Sequence, residues 1–139
     1  MTTKRIQPQG LFQRALKGHT LYSHVVVTSD SPLVFVAGQL ARDKEGKIVG
    51  AGDMVAQIRQ VGENLHTALA AAGVGVEDLV KTTTFVTDID EFFRHPEVRA
   101  EIFGQHLPTS TTVEVRRLSH PDLMVEIEAI AVLGRREED

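Results

Sequence analysis

The spacing of apolar and polar positions predicts most of the regular structure of this chain. Residues 21–28 are rich in β-branched side chains, with Val25, Val26, Val27 and Thr28 in series, as strands are. Ser29-Asp30-Ser31-Pro32 is turn chemistry. Residues 33–37 are apolar again, so the two runs read as a hairpin. Asp43 to Gly46 marks another turn, followed by a short strand over residues 47–49. Asp53 suits a helix N-cap, because its carboxylate can accept from the first free N–H groups. After it Met54, Ile58, Val61, Leu65, Leu69 and Ala72 recur at helical spacing. Gly73 ends that helix as a C-cap glycine does. Residues 79–87 form a strand rich in Thr and Val, and Pro96 fits the first turn of a second helix. That helix buries Val98, Ile102 and Phe103 and ends near Gln105. Residues 111–118 and 123–133 are the last two strands. Residues 1–19 show no clear periodicity.

The predicted order is β-β-α-β-α-β-β, an α+β fold whose mixed sheet carries two helices on one face. The last strand then poses a problem. Val125, Ile127, Ala129, Ala131 and Leu133 share one face by the two-residue period, and Met124, Glu126, Glu128, Ile130 and Val132 share the other. That second face is acidic at one end and apolar at the other. It calls for a partner subunit with a polar cleft at its edge.

Composition narrows the function classes. A chain of 139 residues fits one domain over residues 1–139, and 42% hydrophobic with 24% charged residues allows both a core and solubility. There is no Cys, so disulfides, thiolate metal sites and thiol nucleophiles are excluded. No basic start followed by an apolar core resembles a signal peptide, and no apolar run is long enough for a membrane span. A cytoplasmic protein is expected. The net charge of −4 and five per cent aromatics argue against nucleic acid as a partner. Lys4, Arg5, Arg14 and Lys17 precede any acid and read as a solvated N-terminal arm. The six histidines show no HxH or HExxH spacing, so no metal site is expected. Gly73-Val74-Gly75 follows a helix instead of opening one, so it is a connection and not a phosphate loop.

Few residues carry candidate chemistry. Glu126 and Glu128 lie on one strand face, roughly 7 Å apart at ~3.3 Å per residue. Such a pair can split its pKa values and give a general acid or base; taken alone, it is more simply a solvated pair. Gly38, after an apolar strand, lets backbone approach a ligand because no Cβ intervenes, or merely ends the strand. Ser23 and His24 are strand neighbours pointing to opposite faces, which excludes a triad built on them.

Four segments in series resemble one known family. Val36-Ala37-Gly38-Gln39-Leu40 is similar to its "vSGQi" strand, and residues 57–73 (QIRQVGENLHTALAAAG) to its "Qt..vl.Nl...L..aG" helix. Residues 81–88 (KTTTFVTD) resemble "vvKttvfltD", and residues 108–131 (PTSTTVEVRRLSHPDLMVEIEAIA) resemble "PaRs.VeV..LP.....vEIEaiA". On these motifs, spanning roughly residues 20 to 133, the chain is identified as a member of the YjgF/YER057c/UK114 (Rid) family. The resemblance implies a chorismate-mutase-like fold and a homotrimer whose subunit interfaces bind small carboxylate-bearing molecules. It also implies hydrolysis of enamines or imines to a keto compound and ammonia, without a cofactor.

Carried over residue by residue, the resemblance makes Glu126 the water-positioning catalytic acid. Tyr22, Gly38, Ser110 and Thr111 then hold the substrate. The chain departs from the family pattern in several places. His24 replaces a Gln, and Ala37 replaces a Ser. Pro96 and Arg99 stand where the family has Asn and Tyr, and Ser110 stands where its deaminases have the carboxylate-binding Arg. A neutral Ser gives one hydrogen bond where a charge-assisted fork is worth ~1.5–3 kcal/mol or more. Amino-acid-derived imines should therefore bind at least about tenfold more weakly, at ~1.4 kcal/mol per decade. Arg42, Arg99 or the basic N-terminal arm are the candidate replacement cations. The loop Leu118-Ser119-His120-Pro121-Asp122-Leu123 resembles that of the family's 2-aminomuconate deaminases, whose longer substrate suits a roomier site. The expected function is a deaminase of this kind, and the alternative is a non-catalytic trimer that binds a metabolite.

Overall fold

The computed structural model describes residues 2–7, 9, 15–23, 25–28, 31–134 and 136–137. The elements run β1 (Thr2–Ile6), β2 (Ala15–Leu16), β3 (His19–Thr20), β4 (Val25–Thr28), β5 (Leu33–Leu40) and α1 (Met54–Ala71). A 3₁₀ turn (Val76–Asp78) leads to β6 (Leu79–Val86), α2 (Ile89–Phe93), α3 (Pro96–Phe103), β7 (Thr109–Glu114), β8 (Val125–Val132) and β9 (Arg136–Glu137). The α+β class with a mixed sheet agrees with the sequence expectation.

The main sheet has the order β5-β8-β6-β7. β8 runs antiparallel to both β5 and β6, while β6 and β7 are parallel. A parallel pair needs a long crossover, and α2 with α3 supplies it. α1 packs on the face formed by Val36, Val125, Ile127, Ala129 and Ala131, all buried. The other face of β8 carries Glu126, Glu128 and Ile130, as its alternation predicts. That alternation fails at the strand's end, where Val132 is buried and Leu133 is exposed.

α1 follows its apolar stripe, burying Met54, Ile58, Val61, Leu65 and Leu69. The Asp53 carboxylate accepts from Ala56 N at 3.1 Å, and Gly73 adopts φ +76° beyond the last turn. Ala72, in the predicted stripe, is exposed and caps the helix instead. Two polar residues of α1 tie the sheet down. Gln57 is fully buried; its amide donates to Gly50 O (3.2 Å) and Asp122 O (2.7 Å) and accepts from Met124 N (2.8 Å). Asn64 donates to Leu40 O (2.8 Å) and Arg42 O (2.9 Å), fixing the end of β5. Gly62 lets α3 cross closely, since a Cβ there would overlap Ile102.

Several expectations change. β4 and β5 do not form a hairpin: β4 pairs antiparallel with β1, and β5 pairs with β8. Neighbouring β runs look alike whether they pair with each other or with distant strands, so proximity in sequence misled. Part of the stretch without periodicity holds β1 and the short pair β2–β3, turned by Lys17 (φ +49°) and Gly18 (φ +79°). Residues 47–49 contribute only an isolated bridge, Arg42 to Ile48. The five-residue α2, capped by Asp88 on Glu91 N, was not expected, and α3 stops at Phe103. The basic arm is not simply solvated. Arg5 donates to Glu77 O (3.0 Å) and Leu79 O (3.2 Å), and Lys17 donates to Arg94 O (2.8 Å). Arg14 and His24 lie outside the described residues. Among the described residues no helix is long and apolar enough to cross a membrane.

Candidate functional site

The sequence candidates fall on two sides of the main sheet. Glu126, Gly38 and Thr111 belong to the open face, and Ser110 with Tyr22 to the helix side. Strand geometry makes the division unavoidable, because neighbours 110 and 111 on β7 point to opposite faces. Ser110 pairs with Thr82, which is buried beneath the sheet, whereas Thr111 pairs with Thr83 on the open side.

On the open face Glu126 sits between Leu40 of β5 and Phe85 of β6. The β5–β8 register slips between Val36 and Gln39, so that Ala37 and Gly38 together oppose one residue of β8. Such a bulge re-aims the strand locally. It brings the Gly38 backbone beneath the Glu126 side chain so closely that a Cβ at 38 would overlap the carboxylate. Close approach to an acid, and not to a strand end, is what this glycine permits. The Glu126 carboxylate has no hydrogen-bond or ion-pair partner among the described residues. Its pKa is raised from the ordinary carboxylate value, first by burial and then by the charge of Glu128. Glu128 is exposed and joins Phe35, Ala37, Lys81, Thr83 and Ile130 around a shallow cavity of about 440 Å³. Thr111 lies two strands from β8, about 10 Å away at ~4.8 Å per strand.

On the helix side a second cavity of about 440 Å³ is lined by Leu16, Leu21, Tyr22, Ile89, Phe93, Arg99, Ser110 and Thr112. Tyr22 is placed by its neighbour. Ser23 N donates to Pro108 O at 2.8 Å, and its hydroxyl donates to Leu107 O, which pins this segment to the start of β7. Tyr22 and Ser110 therefore line one cavity, apart from Glu126 within one chain.

Arg99, a side chain weighed from sequence only as a replacement cation, also lines this cavity. It is 6% exposed, with its guanidinium 4.7 Å from the Phe92 ring centroid and 5.8 Å from that of Phe93. It makes no hydrogen bond or ion pair with any described residue, and burial pulls its pKa down to about 10. Arg42 is not in this cavity; it donates to Gly46 O (2.8 Å) and lines a separate open cleft with Gln39 and Asn64. Among the described residues no group of three or more His, Asp or Glu side chains is arranged to hold a metal ion.

Comparison with known proteins fits this architecture. The family described as Endoribonuclease L-PSP matches residues 12–133. The chain belongs to the YjgF/YER057c/UK114 (Rid) family. It is 46% identical over 99 residues to a RutC family protein of Pyrococcus horikoshii, covering 70% of this chain and 77% of that one. It is 41% identical over 103 residues to the 2-iminobutanoate/2-iminopropanoate deaminase of Salmonella typhimurium, covering 72% and 79% of the two chains. The crystal structure of the Rid protein YyfB from Yersinia pestis superposes with a TM-score of 0.81 at 28% identity, covering 96% of this chain and 100% of that one.

Proposed function

We propose that this Rid protein is a deaminase that hydrolyses an enamine or imine to a keto compound and ammonia. The observation that carries the reading is Glu126. It is a carboxylate without a hydrogen-bond or ion-pair partner among the described residues, held over a glycine-lined bulge, with its pKa raised from the ordinary carboxylate value by burial and by Glu128. An imine carbon is already electrophilic, and an enamine becomes an imine by protonation at carbon. Water adds to the carbon of the protonated imine while the Glu126 carboxylate takes its proton, giving a neutral carbinolamine. The proton passes from Glu126 to nitrogen, the C–N bond breaks and ammonia leaves, while the hydroxyl gives its proton to the Glu126 carboxylate as the carbonyl forms. The relative named as an imine deaminase supports this class of chemistry.

The division of the candidates between two sheet faces supports a homotrimeric assembly. Phe35 is 72% exposed on the open face, with Val113 also exposed on that side. A second copy seated there would cover this apolar surface and set its Tyr22–Ser110 side against the first copy's Glu126. The site would then lie at the subunit interface and use small molecules, with no nucleic acid or membrane partner and no cofactor.

The test is ammonia release from 2-aminoacrylate and from 2-aminomuconate, each generated in place by an upstream enzyme. Wild type should release ammonia from at least one, and Glu126→Gln should lower the rate by about 10²–10⁴-fold, the usual worth of a positioned acid–base. Release that survives in Glu126→Gln removes Glu126 from the chemistry. No release by wild type from either compound favours the non-catalytic binding role.

A further inference from the structure

We propose that Arg99 is the carboxylate anchor of this protein, and that its cavity selects a small carboxylate with an apolar or unsaturated body. The proposal rests on the deaminase reading for the fate of the ligand, but not for its capture.

The argument starts from the cost of the arrangement. A guanidinium is rarely buried without a carboxylate partner, because lost hydration is repaid only by an opposite charge or full hydrogen bonding. Arg99 is 6% exposed and has neither among the described residues. Two aromatic rings, Phe92 and Phe93, hold the guanidinium by cation–π contact. Its side chain lines the cavity wall. The hydroxyl-bearing Ser110 and Thr112 line the same cavity. A planar cation with two hydroxyls alongside is a donor set for a carboxylate, which accepts a bidentate fork and a further hydroxyl bond.

The remaining wall defines the rest of the ligand. Leu16, Leu21, Ile89 and Phe93 are apolar, so the body attached to the carboxylate gains by being apolar or flat and unsaturated. The volume of about 440 Å³ exceeds the needs of a three-carbon acid. Position 110 explains why the cation can sit on α3. A long cationic side chain at 110 would meet Arg99 in the same cavity, so a small residue on β7 and an arginine on α3 form one solution.

The test uses benzoate and its uncharged isostere benzamide, titrated calorimetrically into the full chain at low salt. Wild type should bind benzoate at least about tenfold more tightly than benzamide. Arg99→Met should erase that preference, and Arg99→Met with Ser110→Arg should restore it by moving the cation back to β7. Ser110→Glu supplies an internal partner to Arg99. It should abolish benzoate binding and raise the melting temperature, so its result does not depend on a destabilised fold. Equal binding of benzoate and benzamide by wild type, or a preference that survives in Arg99→Met or Ser110→Glu, overturns the proposal. Because binding is read without turnover, benzoate capture without ammonia release defeats only the deaminase reading. Ammonia release without a benzoate preference defeats only the role of Arg99.

Discussion

The open sheet face holds Glu126 and the cavity beneath β7 holds Arg99, each without a hydrogen-bond or ion-pair partner among the described residues, and desolvation pushes the two in opposite directions. Glu126 has its pKa raised, by burial first and by Glu128 second. Arg99 has its pKa lowered to about 10 by burial alone. Removing water disfavours whichever form is charged, so one physical cause makes the acid more basic and the base more acidic. The buried amide of Gln57 marks the contrast. Bonds to Gly50, Asp122 and Met124 use both of its donors and one lone pair of its oxygen, and it serves the fold. The groups proposed to serve a ligand are the ones without such bonds among the described residues.

Several measurements would break or sharpen this contrast. The largest effect is expected where polar groups are complete. Gln57→Leu strands Asp122 O and Met124 N, while Gly50 O keeps its bond from Asp53 N, and should destabilise by about 2–4 kcal/mol in urea unfolding. A loss under about 1 kcal/mol would mean that the bonds of Gln57 matter little. Gly38→Ala forces a methyl group into the Glu126 carboxylate. It should cost about 1–3 kcal/mol of stability as overpacking does, with a fall in kcat larger than any change in KM. Unchanged kcat would separate the bulge from the chemistry.

Arg99→Met should go the other way. It removes a buried charge that has no acceptor among the described residues and keeps an apolar side chain against Phe92 and Phe93. Stability should rise by about 1–2 kcal/mol, less than the full desolvation cost because the cation–π contact is also lost. A lower melting temperature would place Arg99 among the residues that hold the fold. The smallest effect concerns pH. A carboxyl whose pKa is raised on folding contributes stability below its unfolded value, and that contribution is lost as pH climbs through the raised value. Wild type should therefore lose melting temperature relative to Glu126→Gln as pH rises past the ordinary carboxylate value of 4.5. Parallel profiles would show that Glu126 is as freely hydrated as a surface acid.

Much of this was legible before any coordinates. The stripe from Met54 to Leu69, its Asp53 cap and its Gly73 stop came from helical spacing and end chemistry, which depend on nearby residues only. The alternation of β8 placed Glu126 opposite the α1-covered face, because the two-residue period is a property of the backbone. The same rule separates 110 and 111, which the family resemblance had assigned together to one substrate. The short α2 was missed because five residues hold too little of a 3.6-residue period to stand out.

The sequence by itself determined the periodic elements, their faces, the family and the identity of the unusual residues at positions 99 and 110. Each of these is a local pattern or a matter of residue type. Tertiary structure alone decided that β4 pairs with β1, that the bulge slides Gly38 under Glu126, and that Arg99 lies on two phenylalanine rings beside Ser110. Strand partners are chosen among segments far apart in the chain, and a side chain loses its water only when distant elements close over it. Spacing along a sequence carries neither quantity, and here both set the chemistry.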